Sequence, residues 1–134
     1  MRPIPLGAKG NFRLHVRPEH LASSFKDPVL PNVLATPVMV LVMENAALDA
    51  IRSYLDPGEN AVGIALEVQH IAATPVDHTV FGEAQVTNVD GRRVDFKVTA
   101  RDEIEIIGLG THRRMVIDLH RLNDRLAQKN RNRS

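Results

Sequence analysis

Three residues between positions 36 and 70 carry side chains suited to acid–base chemistry: Thr36, Glu44 and His70. Glu44 directly follows the apolar run 38–43, where an ionised carboxylate is costly unless it is paired, and otherwise its pKa rises. His70 ends a segment of alternating apolar residues, so its imidazole is expected to point into the same interior. A carboxylate and an imidazole that meet in a core can act as a general base near neutral pH.

Thr36 stands before Pro37, a pair that is typical of a helix start, with threonine as the cap and proline at the first helical position. Free N–H groups and the helix dipole at such a start would stabilise a developing oxyanion. Each of the three residues alone has an ordinary interpretation: a cap, a solvent-facing glutamate, a hydrogen-bonded core histidine. Together they favour a functional site, and spacing alone supports no more than an acid–base site.

The sequence pattern also predicts the strands and the helix on which these residues lie. A strand is expected over about 9–17, and a helix is expected from Thr36 to about Leu55, where Asp56-Pro57-Gly58 ends it. After the helix, alternation predicts that one strand face carries Val62, Ile64, Leu66, Val68 and His70. Further strands are expected over 80–89, 93–100 and 104–119, with a hairpin at Asp90-Gly91 and a kink at Gly108 or Gly110.

This order of elements predicts an α+β fold in which an antiparallel sheet of about five strands is wrapped around one long central helix. The first two turns of that helix are apolar on every side. A helix of this kind is buried on every side, which in a small chain calls for a curved sheet and for cover by a second subunit.

The chain has 134 residues, which fits one domain, assigned to 1–120, followed by a basic tail over 121–134. The tail carries a net charge of +4 and the remainder −3. We expect a solvated and partly disordered tail; the alternative is a clamp for the phosphates of coenzyme A or nucleic acid.

Composition excludes several kinds of site. There is no cysteine, which rules out disulfides, zinc–thiolate sites and cysteine nucleophiles and is compatible with a cytoplasmic protein. Four Phe, one Tyr and no Trp argue against a stacking surface for single-stranded nucleic acid. No apolar run is long enough to span a membrane, and the six histidines show no ligand spacing such as HExxH, so no metal is expected.

Several motifs together resemble the fluoroacetyl-CoA thioesterase family: Ala35-Thr36-Pro37-Val38-Met39 with Glu44, His70-Ile71-Ala72-Ala73-Thr74-Pro75-Val76, Val89-Asp90-Gly91-Arg92-Arg93-Val94 and Gly108-Leu109-Gly110-Thr111-His112-Arg113. The resemblance runs from about residue 9 to about residue 118. It implies a hot-dog fold, usually dimeric, that cleaves acyl-CoA thioesters without a cofactor, coenzyme A being part of the substrate.

By this resemblance the catalytic residues are Thr36, Glu44 and His70, and Gly63 matches a strand glycine near the acyl group. Glu44 would be a general base for water or a nucleophile. Thr36 would orient Glu44 or the attacked carbonyl, or would serve as the nucleophile in place of Glu44. His70 would shuttle protons. The arginines expected to meet the coenzyme A phosphates are Arg92, Arg93, Arg113 and Arg114.

Two departures from the family concern the lid and the tail. Fluoroacetyl-specific members carry phenylalanines before the threonine, whereas residues 26–35 contain no aromatic, so a broader short-chain acyl preference is expected. The basic tail lies outside the resemblance.

The main alternative function is a non-catalytic acyl-thioester binding module. A hot-dog hydratase ranks lower, because the usual Asp-plus-His helix pattern is absent, and nucleic-acid binding through the tail is a further alternative.

Overall fold

A five-stranded antiparallel sheet curls around one long helix in the computed structural model of the protein, which describes residues 1–133. The strands are β1 (Lys9–His15), β2 (Glu59–His70), β3 (Thr79–Asp90), β4 (Arg93–Arg101) and β5 (Ile106–Asp118), and the helices are α1 (Ala22–Phe25), α2 (Thr36–Ile51) and α3 (Leu119–Arg131). The order across the sheet is β1-β3-β4-β5-β2. The predicted α+β architecture is therefore confirmed.

Helix α2 begins one residue earlier than the cap prediction implied. Ala35 occupies the N-cap position in an extended conformation, and Thr36 is the first helical residue. Pro37 follows within the first turn, where its missing N–H costs nothing. The prediction that Thr36 caps the helix is wrong, and the Thr36 hydroxyl is left available for a contact outside the helix.

The core of the molecule lies between α2 and the concave face of the sheet. The side chains of Met39, Val42, Met43 and Ala46 are completely buried there. Leu41, on the opposite side of the helix, remains 46% exposed. The expected burial on all sides is thus not reached within one chain, because the sheet covers only part of the helix circumference.

Small residues let α2 lie very close to β1 and β3. A methyl group added at Gly10 would overlap the backbone of Ala46 and Ala50. One added at Gly82 would lie 2.6 Å from Cγ1 of Val42. This close backbone packing fixes the position of α2 against the sheet.

Strand β2 contains an irregularity that the sequence pattern did not predict. Its pairing with β5 shifts between Gly63 and Ala65, which marks a β-bulge. Before the bulge, Val62 is opposite Met115; after it, Leu66 is opposite His112, a residue of the other face of β5. The expected single face from Val62 to His70 is therefore wrong, because the extra residue in the bulge reverses the alternation.

The bulge has a consequence for two of the predicted site residues. Gly63 and His70 are seven positions apart, an odd number, and would face opposite sides of a regular strand. With the bulge between them, Gly63 pairs with Arg114 and His70 pairs with Gly108, both on the helix-facing side of β5. Both residues therefore face the interior of the sheet.

The outer edge of β2 has no partner strand within residues 1–133. Apolar side chains lie along it, with Ile64 49% exposed and Leu66 38% exposed. Open apolar edges are prone to pair with another strand.

None of the helices described over residues 1–133 is long and apolar enough to cross a membrane.

The basic C-terminal segment is helical rather than partly disordered as expected. Asp118 caps α3 by accepting a hydrogen bond from the backbone N–H of Arg121 at 3.0 Å. The leucines of α3, at positions 119, 122 and 126, follow helical spacing and form an apolar stripe. Ser134, the last residue of the predicted tail, lies outside the described residues.

We predict that Gly10→Ala lowers the free energy of unfolding by about 1–3 kcal/mol or more, because the added methyl group meets backbone that cannot move aside. The adjacent exposed side chain of Asn11 provides a control, and Asn11→Ala should change the same quantity by no more than about 0.5 kcal/mol. Urea denaturation of both variants checks this, and equal midpoints for Gly10→Ala and the wild type would contradict the packing described here.

Candidate active site

Thr36 and His70 form the first part of the candidate site. The Thr36 Oγ1 atom lies 2.8 Å from Nδ1 of His70 in a hydrogen bond that joins the start of α2 to the end of β2. The Thr36 side chain is exposed and His70 is half-buried. Burial lowers the pKa of His70 below its ordinary value of 6.5, opposed by the backbone of Ala72, so the imidazole is neutral at neutral pH. A hydroxyl bonded to a neutral imidazole is an arrangement found in activated nucleophiles and in oriented donors.

The loop after His70 holds this pair in place. The backbone N–H of Leu34, just before α2, donates to the Thr74 carbonyl at 2.8 Å. The hydroxyl of Thr74 in turn donates to Asp102 at 3.0 Å, and both residues are buried. The start of α2 is thereby tied to the turn between β4 and β5.

Asp102 is the anchor of this tie. Its other carboxylate oxygen accepts hydrogen bonds from the backbone N–H groups of Ile104 and Glu105 at 2.9 and 3.0 Å. Although burial acts to raise the pKa of Asp102, these two hydrogen bonds and the one from Thr74 hold it below its ordinary value. Asp102 is therefore a buried carboxylate whose charge is satisfied, which rigidifies the loop.

Glu44 belongs to a second cluster, with Arg114 and His112 of β5. The Arg114 Nη1 atom lies 3.8 Å from Oε2 of Glu44 and 3.2 Å from Nε2 of His112. Arg114 is 8% exposed, and its Nη2 atom also donates to the Ala61 carbonyl at 2.7 Å. Glu44 itself is 40% exposed, so its carboxylate is held on one side and open on the other.

The protonation of His112 follows from its neighbours. Its Nδ1 atom is 2.8 Å from the Ala65 carbonyl, which can only accept, so Nδ1 carries the proton and Nε2 accepts from Arg114. Burial lowers the pKa of His112, and the charge of Arg114 adds to that effect, against the Ala65 carbonyl and Glu44. A neutral His112 therefore orients the guanidinium of Arg114 toward Glu44.

Gly63 leaves the space that the Glu44 carboxylate occupies. A methyl group added there would lie 2.8 Å from Oε2 of Glu44 and 3.1 Å from Cε1 of His112. The sequence placed Gly63 near the acyl group by resemblance, and its observed neighbour is the predicted catalytic glutamate. Any side chain at this position would displace the carboxylate.

The expected pairing of Glu44 with His70 does not form within residues 1–133. Thr36, which contacts His70, lies eight residues before Glu44 on the same helix, and a helix rises 1.5 Å per residue, so about 12 Å separates the two positions. The side chain of Glu44 instead meets Arg114. One chain thus contains two half-sites, Thr36–His70 and Glu44–Arg114–His112.

The four arginines expected at the coenzyme A phosphates are not gathered together. Arg114 is buried beside Glu44, and Arg113, on the other face of β5, is paired with Asp95 at 2.7 Å. Arg93 is paired with Asp90 at 3.2 Å and Arg92 with Glu59 at 3.1 Å, both near the β3–β4 hairpin. Alternation along β5 separates Arg113 from Arg114, so these neighbours cannot act on the same phosphate.

Sequence reasoning missed His112 as a member of the site. The available signal was its spacing of two from Arg114, which places both side chains on one face of a strand. Within residues 1–133 no group of three or more His, Cys, Asp or Glu side chains is arranged to hold a metal ion. The absence of a metal and of a cofactor remains a prediction.

The family model and the curated relative that match this chain both describe fluoroacetyl-CoA thioesterases. The family model described as fluoroacetyl-CoA-specific thioesterase matches residues 16–120. A curated fluoroacetyl-CoA thioesterase from Streptantibioticus cattleyicolor is 46% identical over 99 residues, which cover 74% of this chain and 71% of that protein.

Solved structures of thioesterases have the same fold as this chain. A structure of fluoroacetyl-CoA thioesterase is 36% identical with a TM-score of 0.89, covering 95% of this chain and 98% of its own. A thioesterase superfamily member from Thermus thermophilus is 28% identical with a TM-score of 0.91, covering 98% of this chain and 96% of its own. The chain therefore has the hot-dog fold and belongs to the fluoroacetyl-CoA-specific thioesterase family.

Proposed function

We propose that the protein hydrolyses short-chain acyl-CoA thioesters to the free acid and coenzyme A. The observation that carries the proposal is the hydrogen bond between Thr36 and a neutral His70 at the exposed start of α2. The activity named for the family members that this chain matches supports the same chemistry. The chain has no aromatic residue over 26–35, where Val29 and Leu30 are exposed instead, which supports a broader acyl preference than fluoroacetyl alone.

We also propose that the protein is a homodimer formed through β2. The unpaired edge of β2 carries exposed Ile64 and Leu66, and Leu41 is left uncovered on α2. An antiparallel pairing of two β2 strands, centred near Leu66 and Glu67, keeps both helices on the same side of a continuous sheet. It would bring His70 of one subunit opposite the bulge between Gly63 and Ala65 of the other.

This dimer would join the two half-sites into one. Thr36 and His70 of one subunit would face the partner's Glu44, which is steered by the partner's Arg114 and His112. In the proposed reaction a water oxygen bonds to the thioester carbonyl carbon while Glu44 takes the water proton. The Thr36 hydroxyl and the dipole of α2 receive the oxyanion. The carbon–sulfur bond then breaks, and the proton is delivered to the departing thiolate.

Direct attack by Glu44 is the second route. The carboxylate would then form an anhydride with the acyl group, which water hydrolyses in a later step. Under both routes Glu44 is indispensable and Arg114 holds its charge in place.

The predicted cytoplasmic location and the assignment of 1–120 and 121–134 as separate units stay predictions.

We predict that Glu44→Gln lowers kcat for acetyl-, propionyl- and fluoroacetyl-CoA by about 10²-fold or more in a thiol-release assay, because an amide neither accepts the proton nor attacks. The variant should fold as the wild type does, since the amide keeps the size of the carboxylate. Glu83→Gln, an exposed position on β3, serves as the matched control and should retain full activity.

Two outcomes of that assay would contradict the proposal. If the wild type releases thiol from none of these substrates yet binds them, the alternative of a non-catalytic binding module holds. If Glu44→Gln keeps wild-type turnover, the chemistry does not involve this carboxylate.

The lowered pKa of His70 sets the expected pH dependence. Because the folded pKa lies below 6.5, His70 is protonated, and its neutral imidazole lost, only at more acid pH. We predict that on the acid side kcat/KM falls to half of its maximal value only below pH 6.5. An NMR titration of the His70 ring, assigned with His70→Gln, gives the pKa independently. A half-maximal kcat/KM at or above pH 6.5 would contradict a buried, neutral His70.

A further inference from the structure

One buried, ionisable side chain beside Glu44 takes no part in the proposed reaction. His112 of β5 is 3% exposed, and its ring stacks on the buried ring of Phe96, with centroids 6.0 Å apart and planes at 27°. Both ring nitrogens have partners, the Ala65 carbonyl and the Arg114 guanidinium. Because the stack and the two hydrogen bonds act on one ring, the imidazole is held in a single orientation.

The β-bulge of β2 supplies the first of these partners. Ala65 is the first residue after the shift in pairing between β2 and β5. Its carbonyl lies 2.8 Å from Nδ1 of His112, so a main-chain group of the bulge is bonded to a side chain. A carbonyl can only accept, which places the proton of the neutral ring on Nδ1 and leaves the Nε2 lone pair to accept in turn. The bulge therefore fixes the tautomer that a hydrogen bond from Arg114 requires.

Arg114 is held more closely by His112 than by Glu44. Its Nη1 atom lies 3.2 Å from Nε2 of His112, but 3.5 Å from the carbonyl oxygen and 3.8 Å from the Oε2 atom of Glu44, which are both long for a hydrogen bond. Its Nη2 atom donates to the Ala61 carbonyl at 2.7 Å, and within residues 1–133 its buried Nε atom has no hydrogen-bond partner. An imidazole lone pair and a carbonyl thus set the position of the guanidinium, and its charge attracts the Glu44 carboxylate.

We propose that His112 is a positioning residue: its Nε2 lone pair holds the guanidinium of Arg114, and through it the carboxylate of Glu44, in the orientation that the reaction needs. The effect on turnover rests on the proposed function, whereas the hold on Arg114 is a property of the folded chain. Since His112 acts only through Arg114 and Glu44, its loss should lower kcat and leave KM unchanged.

Two amide variants separate the two hydrogen bonds of His112. In His112→Gln the amide oxygen can take the place of Nε2 and accept from Arg114, whereas in His112→Asn the shorter amide can replace only Nδ1–H and donate to Ala65. We predict that His112→Gln keeps kcat for the best acyl-CoA substrate within about threefold of the wild type, and that His112→Asn lowers it by about tenfold or more, given the usual strength of hydrogen bonds to charged groups. KM should change by less than about twofold in both variants.

A double-mutant cycle with Arg114→Gln tests whether His112 acts through Arg114. If it does, His112→Asn causes no further loss of kcat in the Arg114→Gln background. A further loss there would reveal a general effect on the fold and would overturn the proposal. Equal values of kcat in His112→Gln and His112→Asn would overturn it as well, because only one of the two keeps an acceptor for Arg114.

The side-chain Nε–H signal of Arg114 in proton–nitrogen NMR spectra, assigned with Arg114→Lys, gives a readout that does not depend on turnover. The signal should keep its wild-type position in His112→Gln and move in His112→Asn. His15→Asn, at an exposed position on β1, is the matched control and should leave the signal in place. An unmoved signal in His112→Asn would rule out the positioning role, whatever the turnover. If the signal moves as expected but the wild type hydrolyses no thioester, the proposed function fails and the hold of His112 on Arg114 stands.

Discussion

The rigid rise of α2 is the constraint on which the whole site depends. Thr36 and Glu44 are on the same helix, about 12 Å apart along its axis, whereas groups that act on one carbonyl must lie within hydrogen-bond reach of it. The helix cannot bend to close this gap, because Gly10 and Gly82 bring it into backbone contact with the sheet. In the proposed dimer a second copy of α2 supplies the missing group, and the open edge of β2 is where the two subunits would meet.

The bulge in β2 makes such a shared site geometrically feasible. Without it, Gly63 and His70 would lie on opposite faces of the strand, and the space for Glu44 would open away from the imidazole. With it, Gly63 and His70 both face the helix side of the sheet. The two buried networks, Asp102–Thr74 at one end and His112–Arg114 at the other, then fix the Thr36–His70 and Glu44 half-sites separately.

Much of the fold could be predicted because each element has a local signal. Thr36-Pro37 gave the helix start to within one residue, and Asp90-Gly91 gave the hairpin, where Gly91 adopts a positive φ of 60°. The bulge could not be predicted, since the alternation of Val62, Ile64 and Leu66 is what a regular strand also shows. Helix α3 was missed because its exposed leucines are few and its composition is that of a solvated tail.

The roles of the three predicted site residues stay predictions, and their predicted pairing within one chain is not found. The sequence offers a threonine, a glutamate and a histidine of suitable types, and it predicts that Glu44 and His70 meet within one chain. Sequence gives no distance between a helix position and a strand end, and it does not distinguish a contact within a chain from one between chains. The partner that Glu44 has, Arg114, was expected at the phosphates instead.

In the proposed dimer, Glu44 of one subunit works with Thr36 and His70 of the other. The most direct test of this arrangement is a mixed dimer, obtained by co-expressing Glu44→Gln and His70→Ala chains with different tags and purifying through both. Each parent variant alone is expected to be inactive. A site shared between subunits predicts that the mixed dimer contains one intact site and recovers about half of the wild-type activity. A mixed dimer as inactive as its parents would contradict the account.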